Sequence, residues 1–497
     1  MKNSKDLLTQ ARKFYENKNF FEAKSNLLKV IEDKNLDKMF RLSLYVLISD
    51  VCYKVNDFQN SEKYLLKAIN NGKVSADIFN SLGNIYLKKR DYKNSEKFYL
   101  ESIKFDEKNE IALINLAIFY HNLGNTKKAI SLYTKILKIN PKNIGALYNL
   151  SNIKKSVIDE KTIEVLKKMI SNKNQNVFDI ASSYFILANF EKNKKNFNKE
   201  IKFLVEANKF AFRINEKKNI NLNQFWLYNI PYNIKKVEYL QNEKKLPNTN
   251  DIHPIFIVGL PRSGSTLIES IISSGDIKID NLGETNLVNW ALLNSNHEFS
   301  KLSNNKQKID INLNEFSKKL NNSFKNLKIK KNQEKIIFSE KSLENFYYIE
   351  MILKIFPNAK FIHSHRNIID NVFAIYKQFL PKISWSHSLE NILTYIENYT
   401  SILKYFKKKY PDKILSVSLE SFTDNPKKVS MEIFKFCKLK WSKKCLDFYK
   451  RDNLFINTAS NNQMRSGVKN YNHKKYDSYK HLLNIYIGKY DWLNTND

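Results

Sequence analysis

A period of 34 residues runs through the first third of the chain and constrains the fold more than any other feature of the sequence. Three turns of similar sequence, NDFQNS, RDYKNS and GNTKKA, end in small residues one period apart: Ser61, Ser95 and Ala129. Other positions keep the same period. One set is small: Ser49, Gly83, Ala117 and Ser151. Two further sets are apolar: Tyr45, Phe79, Leu113 and Leu147, and Ile48, Leu82, Leu116 and Leu150. Because the two apolar sets lie three residues apart, they share one helix face. The repeating unit is therefore predicted to be a helical hairpin.

Further units flank this regular stretch. An earlier one, ARKFYENKNFFEAKSNLL, has Ala11 and Ala23 at the two small positions but is offset by four residues. A later one, ILANFEKNKKNFNKEIKFLVEAN, keeps Ala188 at the first small position and has Glu200 at the second. The unit that holds Ser151 keeps the pattern of the first helix and loses that of the second.

This hairpin resembles the tetratricopeptide repeat (TPR) over residues 4–214, in about five to six units. Pro141 stands where this repeat often has proline. A generic bundle of helical hairpins is the alternative, but three units in step are hard to obtain by chance. Because one hairpin cannot bury its own apolar face, stacking supplies the core. The resemblance implies an N-terminal α-solenoid whose concave face binds a protein or peptide.

The pattern changes after residue 214. Residues 215–250 carry Lys/Asn-rich stretches and are interpreted as a connector, so residues 251–497 form the next predicted domain. In that domain three short apolar runs predict buried strands: IFIVGL at 255–260, KIIFS at 335–339 and AKFIHSH at 359–365. Helical patterns lie between them, and this alternation predicts a parallel sheet in a three-layer α/β domain. The polar residues 301–335 predict a helix and a surface loop.

The first predicted strand runs into PRSGSTLIESIISS, a strand, tight loop and helix. Such a loop directs backbone N–H groups and a helix N-terminus at an anion. The spacing from Gly259 to Gly264 matches the nucleotide-kinase pattern G-x-x-x-x-G-K-[ST], but Ser265 replaces the lysine that reaches the outer phosphates. Arg262 supplies positive charge from inside the loop instead, which suits a 5'-phosphate that carries a sulfonyl group.

GLPRSGSTLIESIIS resembles the phosphosulfate loop of sulfotransferases, in the form found in protein-tyrosine sulfotransferases and in bacterial proteins that place TPRs before such a domain. The resemblance extends from about residue 254 to 492, through the blocks GET (283–285), EK (340–341), FPNAKFIHSHRN (356–367), CLDFYK (445–450) and NTASNNQMRS (457–466). It implies a P-loop-like α/β fold and 3'-phosphoadenosine 5'-phosphosulfate (PAPS) as the co-substrate, with no metal.

The resemblance also implies roles for individual residues. Glu284 matches the general base that accepts the proton of the acceptor hydroxyl, and Lys341 matches the lysine that neutralises the transferring sulfonyl group. Arg366 matches the arginine that binds the 3'-phosphate. The remaining predicted donor-binding residues lie in the loop or near the C-terminus: Arg262, Ser263, Gly264, Ser265, Thr266, Ser460 and Lys475. Of these, Arg262 and Ser460 are also placed beside the transferring group.

Two positions depart from the family pattern. Ala374 replaces a serine that usually contacts the 3'-phosphate, and Leu419 replaces a usual tyrosine. Both put the donor site in doubt. His363 and His365 invite a general-base interpretation, but their alternation along a strand favours packing roles.

Composition constrains the partners weakly. The chain carries 83 Lys and Arg against 50 Asp and Glu, a formal charge of +33. Its lysines are dispersed, which is typical of an AT-rich coding bias, so no specific nucleic-acid partner is expected. Three scattered cysteines fit a reducing compartment. The N-terminal residues MKNSKDLLTQ lack the apolar core of a signal peptide and no long apolar run follows, so a cytoplasmic location without a transmembrane segment is expected.

The first hypothesis is therefore a PAPS-dependent sulfotransferase that acts on a hydroxyl acceptor, with protein tyrosine, carbohydrate and small molecules all left open. A nucleotide kinase is a second hypothesis, against which the missing loop lysine argues. A TPR scaffold with a degenerate domain is a third, which Ala374 and Leu419 keep open. The sequence leaves the oligomeric state undetermined.

Overall fold

A computed structural model describes residues 4–17, 19–172, 174–234, 237–239, 248–277, 279–295, 309–327, 329, 331–332, 335–451, 454–458 and 460–493. Part of the predicted surface loop, residues 301–308, lies outside these ranges. The chain divides into two compact units, Met1–Leu147 and Tyr148–Asp497. Within the described ranges, none of the helices combines the length and the apolar character that crossing a membrane requires.

The first unit consists of antiparallel helical pairs. Its helices are α1 (Ser4–Glu16), α2 (Phe20–Val30), α3 (Lys38–Lys54), α4 (Phe58–Asn70), α5 (Ala76–Lys88), α6 (Tyr92–Phe105), α7 (Glu110–Asn122) and α8 (Thr126–Ile139), and α9 (Ile144–Ile153) crosses into the second unit. These pairs confirm the predicted helical-repeat architecture.

The turn inside each regular pair repeats in geometry as well as in sequence. Residues with positive φ, one period apart, end the first helix: Asn56 at 58°, Arg90 at 63° and Gly124 at 85°. The residue that follows each of them caps the second helix, because its side chain accepts a backbone N–H three residues later: Asp57, Asp91 and Asn125. The short polar turn thus ends one helix and starts the next.

The small residues let the two helices of a pair approach closely. The Ser49 hydroxyl donates to the Ser61 carbonyl at 2.7 Å, and the Ser61 hydroxyl donates back to the Ser49 carbonyl at 2.8 Å. One period later, a Cβ on Gly83 would lie 2.5 Å from the Tyr99 ring. The periodic small positions are therefore helix contacts, as the pattern predicts.

The second unit begins with further helices. It contains α10 (Glu160–Ser171), α11 (Val177–Asn193), α12 (Phe197–Arg213), α13 (Glu216–Asn223), a π-helical stretch (Gln224–Asn229) and α14 (Ile230–Asn233). Although the sequence pattern of α10 is lost, the helix forms: Asp159 caps it, and Ile163 fills the small position as a buried residue.

A mixed sheet of mainly parallel strands forms the rest of the second unit. Its strands are β2 (Ile252–Gly259), β3 (Asp280–Asn281), β5 (Lys331–Asn332), β6 (Lys335–Glu340), β7 (Lys360–His365) and β8 (Ile414–Ser418). The parallel strands lie in the order β3-β6-β2-β7-β8, and β5 pairs antiparallel with β6. A separate parallel pair joins β1 (Val237–Tyr239) to β4 (Ile309–Ile311). The predicted parallel α/β sheet is confirmed.

Helices cover both faces of this sheet. They are α15 (Ser265–Ile272), α16 (Leu287–Ser295), α17 (Leu313–Asn326), α18 (Ile349–Ile355), α19 (Ile368–Tyr376), α20 (Leu389–Lys409), α21 (Leu419–Asp424), α22 (Pro426–Phe436) and the short α23 (Asn461–Met464). Alternate residues of β2 enter two different cores: Ile255 and Ile257 pack with α15 and α22, whereas Phe256 and Val258 lie in the other core.

The core on the Phe256 side also contains helices of the repeat type. Ala188, Leu204 and Ala211 of α11 and α12, and Leu227 and Ile230 from the predicted connector, belong to that core. The last helical pairs and the sheet therefore share one apolar interior, which the sequence does not show.

Candidate active site

The predicted site residues gather at the carboxyl ends of the parallel strands, where ligands of open α/β sheets bind. The loop at residues 260–264 follows β2, and Glu284 lies in the turn after β3. Lys341 directly follows β6, and Arg366 directly follows β7. Residues from four separate strands thus reach one edge of the sheet.

The loop after β2 has a backbone that only a few residues tolerate. Gly259 has φ 151°, and a Cβ there would lie 2.3 Å from the Ser364 carbonyl of β7, so glycine is required. Gly264 has φ 99° and Arg262 has φ 69°. The Asn371 amide holds this geometry by donating to the Pro261 carbonyl at 2.7 Å. The N-terminus of α15, which starts at Ser265, faces the end of the loop and favours an anion there.

Arg262 reaches a segment nearly 200 residues away in sequence. Its guanidinium donates to the Ser460 hydroxyl at 2.6 Å and to the Gln463 amide oxygen at 3.2 Å. The hydroxyls of Thr266 on α15 and of Thr458, two residues before Ser460, are 3.3 Å apart. The structure therefore joins the predicted Arg262, Thr266 and Ser460 and adds Gln463, which sequence reasoning missed.

Arg366 lies in a cage of aromatic and acidic groups. Its Nε donates to the Tyr471 hydroxyl at 3.1 Å, one terminal nitrogen lies 3.4 Å from Asp370 Oδ2, and its guanidinium lies 4.9 Å from the centre of the Tyr471 ring. Tyr471 also donates to Asp370. Burial disfavours the guanidinium charge, but Tyr471, Tyr476 and Asp370 outweigh it and raise the pKa of Arg366. The contact between Arg366 and Asp370 could have been predicted from the sequence, because the two residues are one helical turn apart. The contact with Tyr471 could not.

Three cations from distant parts of the sequence face one region. Burial lowers the pKa of Lys475, and the nearby Arg262 and Arg366 lower it further. Burial likewise lowers the pKa of Arg262, which also feels Arg366. Because these like charges oppose one another, an anion bound among them would relieve the repulsion.

Lys341 and Glu284 form an ion pair at the other end of the site. Lys341 Nζ lies 2.6 Å from Glu284 Oε1, and the lysine side chain is 1% exposed whereas the glutamate side chain is 50% exposed. Burial opposes the ammonium charge, but Glu284 and Glu269 outweigh it, so the pKa of Lys341 is raised. Lys341 is therefore a buried ammonium ion beside a carboxylate that solvent can reach.

Two further carboxyl groups, which sequence reasoning missed, support this pair. Glu269 of α15 accepts the Gly283 backbone N–H at 3.1 Å, and burial raises the pKa of Glu269 to about 7. Glu340, fully buried, accepts the Thr285 hydroxyl at 2.7 Å and the Asn345 amide at 2.6 Å. Glu269 and Glu340 thus fix the turn that carries Glu284 from two sides.

The two strand histidines differ from Glu284 in their surroundings. His363 contacts the Ser416 hydroxyl at 3.0 Å through Nδ1 and the Tyr399 hydroxyl through Nε2. Burial and the adjacent His365 lower the pKa of His363 to about 3. Both ring nitrogens of His363 are engaged inside the sheet, which fits a packing role.

The structure places the two departures from the family pattern on α19 and at the start of α21. Ala374 is buried on α19, one helical turn beyond Asp370. Leu419 begins α21 and packs on the loop, because a Cβ on Gly264 would lie 2.9 Å from Leu419 Cδ1. An apolar side chain therefore covers Gly264 from the end of β8.

Comparison with known proteins agrees with this architecture. Residues 254–443 match the profile of the family described as "Sulfotransferase family", and residues 76–109 and 111–143 match tetratricopeptide-repeat profiles. These matches confirm both resemblances noted in the sequence. An uncharacterized protein of Aquifex aeolicus (strain VF5) is 25% identical over 333 residues, which span 65% of this chain and 43% of that protein. The match therefore covers less than half of that relative's length.

Two solved structures are also similar. The sulfotransferase domain of the Synechococcus PCC 7002 olefin synthase is 16% identical, with 48% of this chain and 91% of that domain covered and a TM-score of 0.32. A tetratricopeptide repeat protein from Parabacteroides merdae ATCC 43184 is 12% identical, with 42% and 93% covered and a TM-score of 0.29.

Proposed function

We propose that this chain, which joins tetratricopeptide repeats to a domain of the sulfotransferase family, is an enzyme that transfers a sulfonyl group from PAPS to a hydroxyl acceptor. The observation that carries the proposal is the arrangement of the site. At one end of the site lie cations and backbone N–H groups, which suit an anionic sulfonyl donor. At the other end, the solvent-accessible carboxyl group of Glu284 is paired with the buried ammonium group of Lys341.

The side chains and backbone groups at the carboxyl ends of the strands suit PAPS as the sulfonyl donor. In the proposal, the backbone N–H groups from Ser263 to Thr266 and the side chain of Arg262 hold the 5'-phosphosulfate. Arg366 and Lys475 bind the 3'-phosphate. The conformations of Gly259 and Gly264 leave room for the backbone to approach the donor closely.

The transfer is a substitution at sulfur. The acceptor oxygen forms a new bond to the sulfonyl sulfur, the bond from sulfur to the bridging oxygen of the 5'-phosphate breaks, and adenosine 3',5'-bisphosphate leaves. Glu284 takes the acceptor proton as the new bond forms, a role that general bases fill with rate gains of about 10²–10⁴. Lys341 stabilises the charge that develops on the sulfonyl and bridging oxygens. No electron carrier and no metal ion enters this balance.

The acceptor in this proposal is a hydroxyl group of a protein, with tyrosine as the first candidate. A solenoid usually presents an extended concave surface to a peptide or a partner protein. The excess of Lys and Arg over Asp and Glu, 83 against 50, favours an acidic partner. A cytoplasmic location and the absence of a nucleic-acid partner remain predictions from the sequence.

Two other functions are distinguished by their ligands. A nucleotide kinase would bind ATP, but Ser265 stands where such enzymes have the lysine that contacts the outer phosphates. A repeat scaffold with a degenerate domain is suggested by Ala374 and Leu419, the two departures at the anion site. Such a scaffold would bind nucleotide weakly or would fail to turn it over.

Calorimetry and a transfer assay test the proposal together. The chain is titrated with adenosine 3',5'-bisphosphate and with ATP, and label transfer from ³⁵S-PAPS is then measured with tyrosine-containing acidic peptides and simple phenols. Preference for the bisphosphate together with transfer supports a sulfotransferase. Preference for ATP would contradict it, and bisphosphate binding without transfer to any acceptor would favour the scaffold.

A further inference from the structure

Glu200 is a buried acid at a position where the repeat pattern has a small residue. It lies on α12 and is 1% exposed. Its Oε1 is 2.8 Å from Lys377 Nζ, and its Oε2 accepts the Tyr479 hydroxyl at 2.6 Å. Lys377 Nζ also lies 3.6 Å from the centre of the Tyr479 ring. The acid, the lysine and the phenol thus form a buried polar triad.

The two partners of Glu200 belong to the elements that surround Arg366. Lys377 directly follows α19, the helix that carries Asp370. Tyr479 belongs to the C-terminal segment, residues 467–486, which also contains Tyr471. The Tyr471 hydroxyl accepts a hydrogen bond from Arg366. One carboxylate of α12 therefore ties together the two elements whose relative position shapes the predicted 3'-phosphate site.

A second contact joins the same helices. The Asn208 amide, two helical turns after Glu200 on α12, donates to the Tyr376 carbonyl at the end of α19 at 3.0 Å. Polar contacts of this kind fix position better than apolar ones do, because a hydrogen bond tolerates little displacement or rotation.

Burying this triad is not an efficient way to gain stability. Burial lowers the pKa of Lys377 to about 8 even though Glu200 opposes the shift. Replacing a buried ion pair by well-packed apolar residues is often neutral or stabilising. A role in positioning accounts for the acid better than a role in stability does.

We propose that Glu200 is a positioning residue for the donor site: it aligns α19 with the C-terminal segment, so that Arg366 and Lys475 are placed for the 3'-phosphate. This inference rests on the proposed function, since it assumes a donor with a 3'-phosphate. Under this proposal the last helical pair, α11 and α12, contributes to binding of the donor as well as to the fold.

The test compares two nucleotides that differ in the 3'-phosphate. Affinities for adenosine 3',5'-bisphosphate and for adenosine 5'-monophosphate, which lacks only the 3'-phosphate, are measured by calorimetry for the full chain and for Glu200→Gln. The variant should lose about tenfold in affinity for the bisphosphate, as expected when one charge-assisted contact is weakened. Its affinity for the 5'-monophosphate should stay within about twofold.

Control variants separate positioning from folding. Glu206→Gln changes a more exposed acid on the same helix, whose partner is Lys209 at 3.6 Å, and should alter neither affinity. The triple variant Glu200→Leu/Lys377→Met/Tyr479→Phe replaces the triad's charges by apolar groups and also removes the Tyr479 hydroxyl, which would otherwise be left buried without Glu200. It should keep the thermal midpoint near that of the wild type and still lose the preference for the bisphosphate.

The outcomes are distinct. If Glu200→Gln or the triple variant keeps the wild-type ratio of the two affinities, or lowers both affinities equally, Glu200 is only structural and the inference is overturned. If the wild-type chain itself binds the bisphosphate no better than the 5'-monophosphate, the proposed 3'-phosphate site fails, and the positioning role fails with it.

Discussion

Lys341 Nζ donates to Glu284 Oε1 at 2.6 Å, so the proposed base and the proposed sulfonyl-stabilising cation are paired with each other. The carboxylate is half exposed and the ammonium is buried. The Glu284 carboxyl group is therefore open to an incoming hydroxyl, whereas Lys341 is shielded from solvent.

Glu284→Gln should remove the base and leave the shape of the site intact. Turnover is expected to fall by roughly 10²–10⁴-fold, because the amide cannot accept the proton. Affinity for adenosine 3',5'-bisphosphate should change by a few-fold at most, and steady-state transfer with calorimetry measures both. Glu432→Gln, an exposed acid on α22, is the control. Unchanged turnover would place the base elsewhere, and His365 would be tested next.

Arg262→Ala should abolish transfer and weaken nucleotide binding. The side chain bridges the loop to Ser460 and Gln463, so its loss removes a charge and also releases the segment at 460–466. Binding of adenosine 3',5'-bisphosphate by calorimetry gives the measurement. Arg213→Ala removes an exposed arginine that lies over the Phe210 ring and should bind normally. Wild-type affinity in Arg262→Ala would contradict the assignment of the loop.

Glu269 should make stability depend on pH. Burial raises its pKa from the ordinary value of 4.5 to about 7, so between these values the folded chain holds a proton that the unfolded chain has released. The free energy of unfolding must then fall as pH rises through this window. Glu269→Gln, which stays neutral, should therefore gain thermal stability relative to the wild type at pH 8 and show little difference at pH 5. An equal difference at both pH values would show that Glu269 does not titrate there.

The sequence predicts the repeats and the strands well because both depend on local patterns. The strand predicted at 359–365 forms as Lys360–His365, and the strand predicted at 335–339 forms as Lys335–Glu340. The two-residue β3 and the role of α11 and α12 in the sheet's core leave no such pattern. The partners of the site residues were missed for the same reason. Gln463 lies 201 positions from Arg262, and Tyr471 lies 105 from Arg366.

Ala374→Ser should strengthen binding of the bisphosphate. Ala374 lies one turn beyond Asp370, on the same face of α19 as the group that contacts Arg366. A hydroxyl there is expected to add about 0.5–1.5 kcal/mol of binding free energy through one hydrogen bond. Ala374→Cys has a similar shape and a much weaker donor, so it should gain little. Equal affinity of Ala374→Ser and the wild type would mean that the position faces the core instead.

The role of the repeats can be tested by shortening the chain. A chain cut at the predicted domain boundary, residue 251, is not expected to keep its fold. It would lose Ala188, Leu204 and Ala211, which share a core with Phe256, and would also lose Glu200. We expect such a chain to be unfolded or aggregated.

A chain that starts at Asn143 keeps α9 whole, and Asn143 itself supplies the contact to the Ala146 N–H. It should fold, because it retains the second compact unit, and should bind adenosine 3',5'-bisphosphate like the full chain. Its transfer to a small phenol should be unchanged, whereas transfer to a protein acceptor should fall to a small fraction of that of the full chain. In the full chain, transfer to the protein should also weaken as salt screens the lysine-rich repeats. If the chain from Asn143 modifies the protein acceptor as fast as the full chain does, the repeats before it do not deliver substrate.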